Sequence, residues 1–293
     1  MKYLTTCILF ISLLTTQLLF LNPVHAKDVN PVFENLLTRL QMDGIEEKSL
    51  HTLFTHPELE MMYKVVALSL IRKEANLNYA QFLAKDSVSK AVSYLKTHDT
   101  TLKKAENHFG VSAPVVVAIL MVETACGAYT GSFTTVNILV TQALSLEEDI
   151  YRHIVNRIPV KEKSALTPNR IKSKLKKKST RAYRELKALL NYAKKQNIDP
   201  FIIKGSVEGA IGLPQFLPSN IKTYGFDGNG DNKVDLFHHD DAIASIATYL
   251  KAHKWREDNS YKKKQKVILR YNNSVYYANT VLTLAERLAN HWH

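Results

Sequence analysis

The chain has 293 residues, of which 45% are hydrophobic and 23% are charged. This composition is ordinary for a globular protein that buries a sizeable core in one or two domains. No segment beyond residue 26 is apolar for long enough to span a bilayer, which excludes a polytopic membrane protein. The formal net charge of +12 favours acidic partners.

The first 26 residues predict a cleaved secretory signal peptide. Lys2 precedes an apolar stretch over residues 7–21, and the segment ends on Val24-His25-Ala26, which is typical of a signal-peptidase site. A membrane anchor is the alternative, but spanning takes about 20 apolar residues. We therefore expect residues 27–293 to form a soluble periplasmic protein.

The predicted export limits the kinds of partner that the mature chain can meet. Nucleic acid is not expected outside the cytoplasm, so the positive charge favours an anionic wall polymer or membrane surface, unless it serves only solubility.

The mature chain keeps one cysteine, Cys126, so no internal disulfide forms. A Cys/His nucleophile pair lacks a histidine motif, which favours a buried, inert thiol. We expect a monomer.

Apolar residues at helical spacing predict a mainly helical chain. They recur through residues 27–107 and again over residues 241–255 and 276–292, and no run of alternating β-branched residues stands out. Residues 161–184 differ, since they hold ten Lys or Arg and a single acid, Glu162. Such a run predicts a solvated helix face or loop, or an electrostatic tether to anionic wall or lipid.

A carboxylate follows the most apolar segment. Residues 113–122 carry no polar side chain, and Glu123 comes next. A helix that is apolar on all sides is buried, so this carboxylate is expected to be partly desolvated, which raises a carboxyl pKa. Such a group can donate a proton to a glycosidic oxygen. The alternative is an ordinary helix-end glutamate that reaches water.

Six of the ten glycines lie between Gly205 and Gly230. Over residues 205–216 they allow the backbone to lie close to a bulky ligand. Ser206 and Gln215 offer neutral hydrogen-bonding groups there that suit sugar hydroxyls and acetamides. A purely structural turn is the equal alternative.

The segment that begins at Asp227 resembles an EF-hand calcium loop, with oxygen ligands at alternate positions. Asn232 stands at position six in place of glycine, and His238 stands at position twelve, where a bidentate acid is expected. Asp240 or Asp241 are candidates to replace it; a zinc site at residues 238–241 or a metal-free turn are the alternatives. The tentative calcium ligands are Asp227, Asn229, Asp231, the carbonyl of Lys233, and Asp235.

Tyrosines and asparagines cluster near the end of the chain, over residues 271–273 and 276–277. Tyrosine rings stack on sugars, and asparagine amides bond to N-acetyl groups. The alternative is a set of core tyrosines with satisfied hydroxyls.

Four stretches, in this order, resemble the lytic murein transglycosylase B family. They are AILMVET at 118–124 with Gly127 and Gly131, KGSVEGAIGLPQFLPS at 204–219, the segment from Asp227 to Trp255, and YNNSVYYA at 271–278. The resemblance covers residues 78–293, and more weakly the region before them.

This resemblance implies a mostly α-helical, lysozyme-like fold with a substrate cleft and an EF-hand-like loop. It implies cleavage of the bond from N-acetylmuramic acid to N-acetylglucosamine, with Glu123 as the single acid/base and a 1,6-anhydro product. Because the nucleophile is the sugar's own C6 hydroxyl, no second catalytic acid and no cofactor are needed. The implied substrate contacts are Ser206, Gln215, Tyr249, Tyr271, Asn272 and Tyr277.

The sequence departs from the family pattern at His238 and in a lysine-rich stretch, about residues 161–180, that has the character of an insertion in a single catalytic domain. Its signal segment also lacks the well-placed lipidation cysteine of membrane-bound members. Three other functions stay open: a hydrolytic muramidase, a catalytically silent wall-binding protein, and a basic structural protein tethered to anionic polymer.

Overall fold

A computed structural model describes residues 29–72, 77–163 and 166–292. The predicted signal peptide, residues 1–26, lies outside them. The described chain is mainly helical, as predicted, with short 3₁₀ turns at Pro31–Phe33, Tyr79–Leu83 and Pro200–Ile202. The α-helices are α1 (Glu34–Met42), α2 (Glu47–Phe54), α3 (Tyr63–Ile71), α4 (Lys85–Thr97), α5 (Asp99–Phe109), α6 (Ala113–Thr124), α7 (Thr135–Ala143), α8 (Glu148–Asn156), α9 (Val160–Lys163), α10 (Pro168–Gln196), α11 (Pro218–Tyr224), α12 (His239–Ala252), α13 (Tyr261–Tyr271) and α14 (Val275–Ala289).

Helix α6 lies at the centre of the core. Every residue from Ala113 to Met121 is buried, as expected of a helix that is apolar on all sides. Helices α4, α5, α12 and α14 pack around it. Helices α12 and α14 confirm the amphipathic segments predicted for the last quarter of the chain.

A two-stranded antiparallel sheet joins the loop after α6 to the glycine-rich segment. Strand β1 (Phe133–Thr134) pairs with strand β2 (Lys204–Gly205), with Phe133 opposite Gly205. The sheet brings two segments together that lie about 70 residues apart in sequence, and it thereby brings the residues after Glu123 next to the segment that carries Ser206 and Gln215.

The basic run forms part of α10, the longest helix described. Thr167 caps it by accepting the Arg170 N–H at 3.4 Å, and Pro168 stands at its start. One face buries Ile171, Leu175 and other apolar residues, mainly against α7, while most of the lysines face solvent. The solvated helix face, rather than a loop, is thus the form that the basic run takes from residue 168 onward.

Within the described ranges, no single helix is both long and apolar enough to cross a membrane; α5 and α6 reach that threshold only as a pair, and they meet at a bend of 117°.

Candidate active site

Glu123 occupies the last turn of α6, where the buried apolar helix meets solvent. Its side chain is half-buried. Ala125 and Cys126 adopt left-handed conformations, with φ of 50° and 62°. Their N–H groups donate to the carbonyls of Met121 and Leu120, respectively, and so end the helix. The backbone therefore turns sharply after Glu123, and the carboxylate stays at the rim of the core rather than within it.

The hydroxyl of Tyr277 donates a hydrogen bond to Glu123 Oε1 at 2.7 Å. Tyr277 lies in α14 and is only 2% exposed. Burial, together with the negative charge of Glu123, raises the pKa of Tyr277 well above its usual value. The phenol therefore remains a proton donor at physiological pH, and it fixes one carboxylate oxygen of Glu123.

Tyr271 lies beside Tyr277 and connects it to the glycine-rich segment. The two rings are nearly parallel, with centroids 6.4 Å apart and an interplanar angle of 10°. The Tyr271 hydroxyl donates to the Pro214 carbonyl at 2.5 Å. The residues that the sequence singled out at 123, 271 and 277 are therefore in one place.

The glycine-rich segment is anchored to the end of α6. Thr124 Oγ1 donates to the Leu213 carbonyl at 3.1 Å. Gln215 has a φ of 49°, and its Nε2 donates to the carbonyls of Thr130 and Gly212, each at 2.9 Å. Gln215 thus lies within the same assembly as Glu123, with its amide nitrogen engaged by the protein.

Ser206 shapes the turn that precedes this anchor. Its hydroxyl oxygen accepts the N–H groups of Glu208 at 3.3 Å and Ala210 at 3.1 Å. Ser206 thus has the structural role in a turn, and its own hydroxyl proton can still be donated to a ligand; a contact with substrate stays a prediction.

Tyr249, for which the resemblance implied a contact with substrate, is mostly buried, and that contact stays a prediction. Its ring is 5% exposed and its hydroxyl donates to the Arg270 carbonyl at 2.6 Å. It packs edge-on against Tyr271 with centroids 4.9 Å apart, so it supports the position of the Tyr271 ring. Asn272 follows α13 and is half-buried; a contact of its side chain with substrate stays a prediction.

Sequence reasoning missed Tyr79. This residue lies in the 3₁₀ turn before α4, and its ring meets that of Tyr277 edge-on at 6.4 Å and 88°. No periodicity or motif marks it, and its contact with Tyr277 joins two residues that are far apart in the sequence.

Removal of the Tyr277 hydroxyl tests its role. We expect Tyr277→Phe to lower kcat about 10- to 100-fold, because small misplacement of a catalytic group costs about that much, while the fold is retained. The measurement is the initial rate of fragment release from purified sacculi. Tyr261→Phe removes an exposed hydroxyl that bonds to Asn279 and should leave the rate unchanged; an equal loss in both variants would contradict the role.

An ion cluster holds the glycine-rich segment against α10. The Glu208 carboxylate accepts from Lys178 Nζ at 2.5 and 2.8 Å and also pairs with Arg181. The two cations lower the pKa of Glu208, although burial opposes them. Burial also lowers the pKa of Lys178, but with two cations facing one carboxylate the ionised cluster is the form at neutral pH.

Neutralising Glu208 leaves two partly buried cations unpaired. Glu208→Gln is expected to lower the free energy of unfolding by about 1–3 kcal/mol at pH 7, which is less than for a fully buried pair because solvent screens it. The pKa of Glu208 is lowered in the folded state, so its contribution is full above its ordinary value and is lost as pH falls through the folded value. Urea unfolding at several pH values should show the difference shrinking below about pH 4.

The exposed pair of Arg256 with Asp258 supplies the comparison, with side chains 72% and 68% exposed. Asp258→Asn should change stability little at any pH. Equal effects of the two substitutions would show that the Glu208 cluster is only a surface pair.

The acidic loop is built from carboxylates that accept backbone N–H groups. Asp227 accepts from Gly230, Asp231 and Asn232, and Asn232 adopts a φ of 67°. Position six therefore has the left-handed backbone for which glycine is usual. These are the turns that Asp and Asn favour.

The side chain of Asp241, and not that of His238, bonds back to the backbone of this loop. The Asp241 carboxylate, 1% exposed, accepts from Gly228 at 2.9 Å and from Asp235 at 2.7 Å. His238 Nδ1 instead accepts the Asp240 N–H at the start of α12. The donors fit calcium in kind, since all are oxygens. Over the described residues, however, no three His, Cys, Asp or Glu side chains converge as a metal cluster.

The arrangement of residues 238–241 gives no support to the zinc alternative. His239 pairs through Nδ1 with the Tyr94 hydroxyl at 2.8 Å, and Asp240 accepts from Thr101 at 2.8 Å, so these side chains point to different partners.

Burial raises the pKa of Cys126 to about 12, and its Sγ contacts Met121 Sδ at 3.8 Å. A raised pKa agrees with the prediction of an inert thiol, because only a thiolate is a nucleophile; the reactivity of Cys126 stays a prediction.

Comparison with known proteins gives consistent matches. A family model described as "Transglycosylase SLT domain" matches residues 28–267. The membrane-bound lytic murein transglycosylase B of Escherichia coli (strain K12) is 28% identical over 175 residues, which are 60% of this chain and 40% of that protein. The aligned part thus spans less than half of that relative.

Solved structures share the fold. The Escherichia coli lytic transglycosylase SLT35 in complex with calcium has a TM-score of 0.72 at 21% identity, covering 89% of this chain and 93% of that one. The soluble lytic transglycosylase SltB1 of Pseudomonas aeruginosa gives 0.71 at 22%, covering 87% and 97%. SltB3 of the same organism, in complex with NAG-anhNAM-pentapeptide, gives 0.68 at 19%, covering 87% and 78%. The predicted lysozyme-like fold is confirmed.

Proposed function

This chain belongs to the transglycosylase SLT domain family, and from that premise we propose that it cleaves peptidoglycan glycan strands without consuming water. The bond cleaved is the β-1,4 bond from N-acetylmuramic acid to N-acetylglucosamine. The observation that carries the proposal is the hydrogen bond from buried Tyr277 to Glu123, at the point where α6 meets the glycine-rich segment.

In the proposed reaction Glu123 acts twice. As an acid it protonates the glycosidic oxygen, so that the N-acetylglucosamine side of the bond leaves. As a carboxylate it then takes the proton of the muramoyl C6 hydroxyl, whose oxygen closes on C1 to give a 1,6-anhydro end. The proton count balances, and Glu123 ends in its starting state. Tyr277 holds one oxygen of Glu123 throughout.

The decisive experiment is mass spectrometry of purified sacculi digested with the mature protein. The proposal expects fragments with 1,6-anhydromuramoyl ends. Reducing muramoyl ends would instead identify a hydrolytic muramidase. Binding to sacculi with no released fragment would identify a silent wall-binding protein.

We also propose that the loop from Asp227 to Asp241 binds calcium. Its supports are the all-oxygen donor set and the buried carboxylate of Asp241, which faces the same loop as Asp227. Two neighbouring carboxylates repel one another, and a bound cation offsets that repulsion. The ion would stabilise the loop, and the glycan chemistry does not depend on it.

Calcium binding predicts a specific stabilisation. At a concentration about 100 times the Kd, a bound ligand adds about 2.7 kcal/mol to the free energy of unfolding. We expect calcium to raise the melting temperature over that in EDTA, and Asp227→Ala to remove most of this rise. The control is Asp99→Asn, which breaks an exposed pair with Lys103 and should keep it. An identical calcium response in all three proteins would contradict the proposal.

We propose in addition that residues 1–26 direct export and that the enzyme acts in the periplasm. The support is the signal-like composition of that segment and the wall-directed chemistry proposed above. Mass measurement of the protein recovered from the periplasm should give an N-terminus at Lys27. Recovery of the full-length chain from the cytoplasm would contradict it.

A further inference from the structure

Helices α13 and α14 carry a cluster of cations that no acid accompanies. Between Asp258 and Glu286 the sequence holds five Lys or Arg residues and no Asp or Glu. Lys262, Lys266 and Arg270 recur at every fourth residue of α13, and all three are exposed. None of them forms an ion pair with any residue in the described part of the chain. They form a row about 12 Å long, whose charge is available to a partner.

Exposed apolar side chains lie beside this row. Val275 and Tyr276, in the first turn of α14, are 55% and 62% exposed. Asn279, one turn further along, accepts a hydrogen bond from Gln265 of α13 at 2.6 Å. This bond joins the outer faces of the two helices, so the cations and the apolar residues belong to one surface. We call it the α13–α14 face, and its members are Lys262, Lys266, Arg270, Val275 and Tyr276.

The α13–α14 face points away from the candidate active site. Tyr277, in the same turn of α14, is buried and bonds to Glu123. Residues two positions apart on an α-helix differ in direction by about 200°, so Val275 lies on the side of α14 opposite to Tyr277. The reacting bond of a glycan held at Glu123 therefore does not meet this face, and the proposed reaction gives the face no function.

The composition of the α13–α14 face matches the interface of a lipid bilayer. Lysine and arginine attract anionic headgroups, while tyrosine and aliphatic side chains enter the boundary between headgroups and acyl chains. A protein partner fits less well, because lysine is depleted in protein–protein interfaces. A soluble polyanion would use the cations but would gain nothing from Val275 and Tyr276.

We propose that the α13–α14 face docks the protein on membrane surfaces that contain anionic phospholipid. The cations attract the headgroups, and Val275 and Tyr276 insert at the level of those headgroups. A few cations and two partly inserted side chains form a weak anchor compared with a spanning helix, so the docking is reversible. It does not depend on the glycan chemistry.

The test measures co-sedimentation of the mature protein with vesicles of phosphatidylcholine alone and with vesicles of equal parts phosphatidylglycerol and phosphatidylcholine. Wild type should bind only the mixed vesicles. Lys262→Gln/Lys266→Gln should weaken this binding about 25-fold, since each lysine near an anionic surface contributes about fivefold to the affinity.

The matched control is Lys176→Gln/Lys177→Gln, which removes the same charge from exposed positions on α10. No large apolar side chain of α10 is exposed among the described residues. The control should change the affinity by less than about twofold, because exposed charges far from the docked surface are screened by salt. An equal or larger loss in the control would overturn the proposal, since net charge or the basic run of α10 would then bind the vesicles.

A second variant tests the apolar part of the face. Val275→Ser/Tyr276→Gln keeps every charge and should weaken binding to the mixed vesicles about tenfold. If it binds as wild type does, the cations act alone and the face attracts any polyanion, which overturns the proposal.

Two further outcomes decide against the proposal. Equal affinity of wild type and Lys262→Gln/Lys266→Gln for the mixed vesicles would show that the face does not meet lipid. The same result with a higher KM on purified sacculi would assign the face to the glycan substrate. The vesicle measurement needs no turnover, so a failure of the proposed function would leave its outcome unchanged.

Discussion

Glu123→Gln is expected to reduce fragment release from purified sacculi by about 10³- to 10⁴-fold, the upper range for loss of a general acid or base. Glutamine has the same shape and keeps an oxygen that can accept the Tyr277 hydroxyl, but it can neither give nor take the proton that the reaction moves. The loss should therefore appear in kcat, while the melting temperature and the affinity for sacculi stay close to those of wild type.

A matched substitution separates chemistry from charge. Glu286 is an exposed glutamate on α14, the helix that carries Tyr277, and Glu286→Gln removes the same charge away from the candidate site. It should retain full activity. Substantial turnover by Glu123→Gln would refute the assignment of the acid/base, and an inactive but unfolded protein would be recognised by its circular dichroism.

Local sequence was sufficient to place Glu123 at the edge of the core, because the residues that determine this position are contiguous with it; its catalytic role came from the family resemblance and stays a prediction. The ten apolar residues before it form a helix that can be stable only when buried, so the first polar residue after them must lie where the core meets solvent. The turns of the acidic loop could be predicted for the same reason, because its short Asp and Asn side chains bond to backbone N–H groups only a few residues away.

Residues that act through distant contacts could not be found in this way. Tyr276 and Tyr277 are adjacent in sequence, yet Tyr276 is 62% exposed and Tyr277 is buried against a residue 154 positions away. The helical period places neighbours on different faces, but the sequence does not say which face meets α6. A match in sequence likewise does not report the direction of the Tyr249 side chain, and its contact with substrate stays a prediction.

The structure of the basic run, residues 161–184, could be predicted from the sequence only in part. Its composition predicted a charged surface, and most of its lysines do face solvent. In the folded chain Lys178 and Arg181, three residues apart on α10, pair with Glu208 where α10 contacts the glycine-rich segment. That pairing depends on how α10 lies on the glycine-rich segment, which no pattern within residues 161–184 encodes.

The second large effect is expected at Gly131, where the loop after Glu123 crosses the glycine-rich segment. Gly131 has a φ of 104°, and a Cβ there would lie 2.3 Å from the carbonyl carbon and oxygen of Gly205. Both atoms belong to the backbone and cannot rotate away. Gly131→Ala is expected to cost about 3–5 kcal/mol through backbone strain and overpacking together, and to lower activity because the two segments of the site must separate.

Gly110 isolates the contribution of the backbone angle. It has a φ of 68° at the end of α5, and a Cβ there would meet no atom within 4 Å, so Gly110→Ala should cost only about 1–2 kcal/mol. Urea unfolding of the two variants measures the difference, which we attribute to the contact between Gly131 and Gly205. If the two costs were equal, the contact between Gly131 and Gly205 would add nothing to the cost, and it could not be what holds the glycine-rich segment against the loop after Glu123.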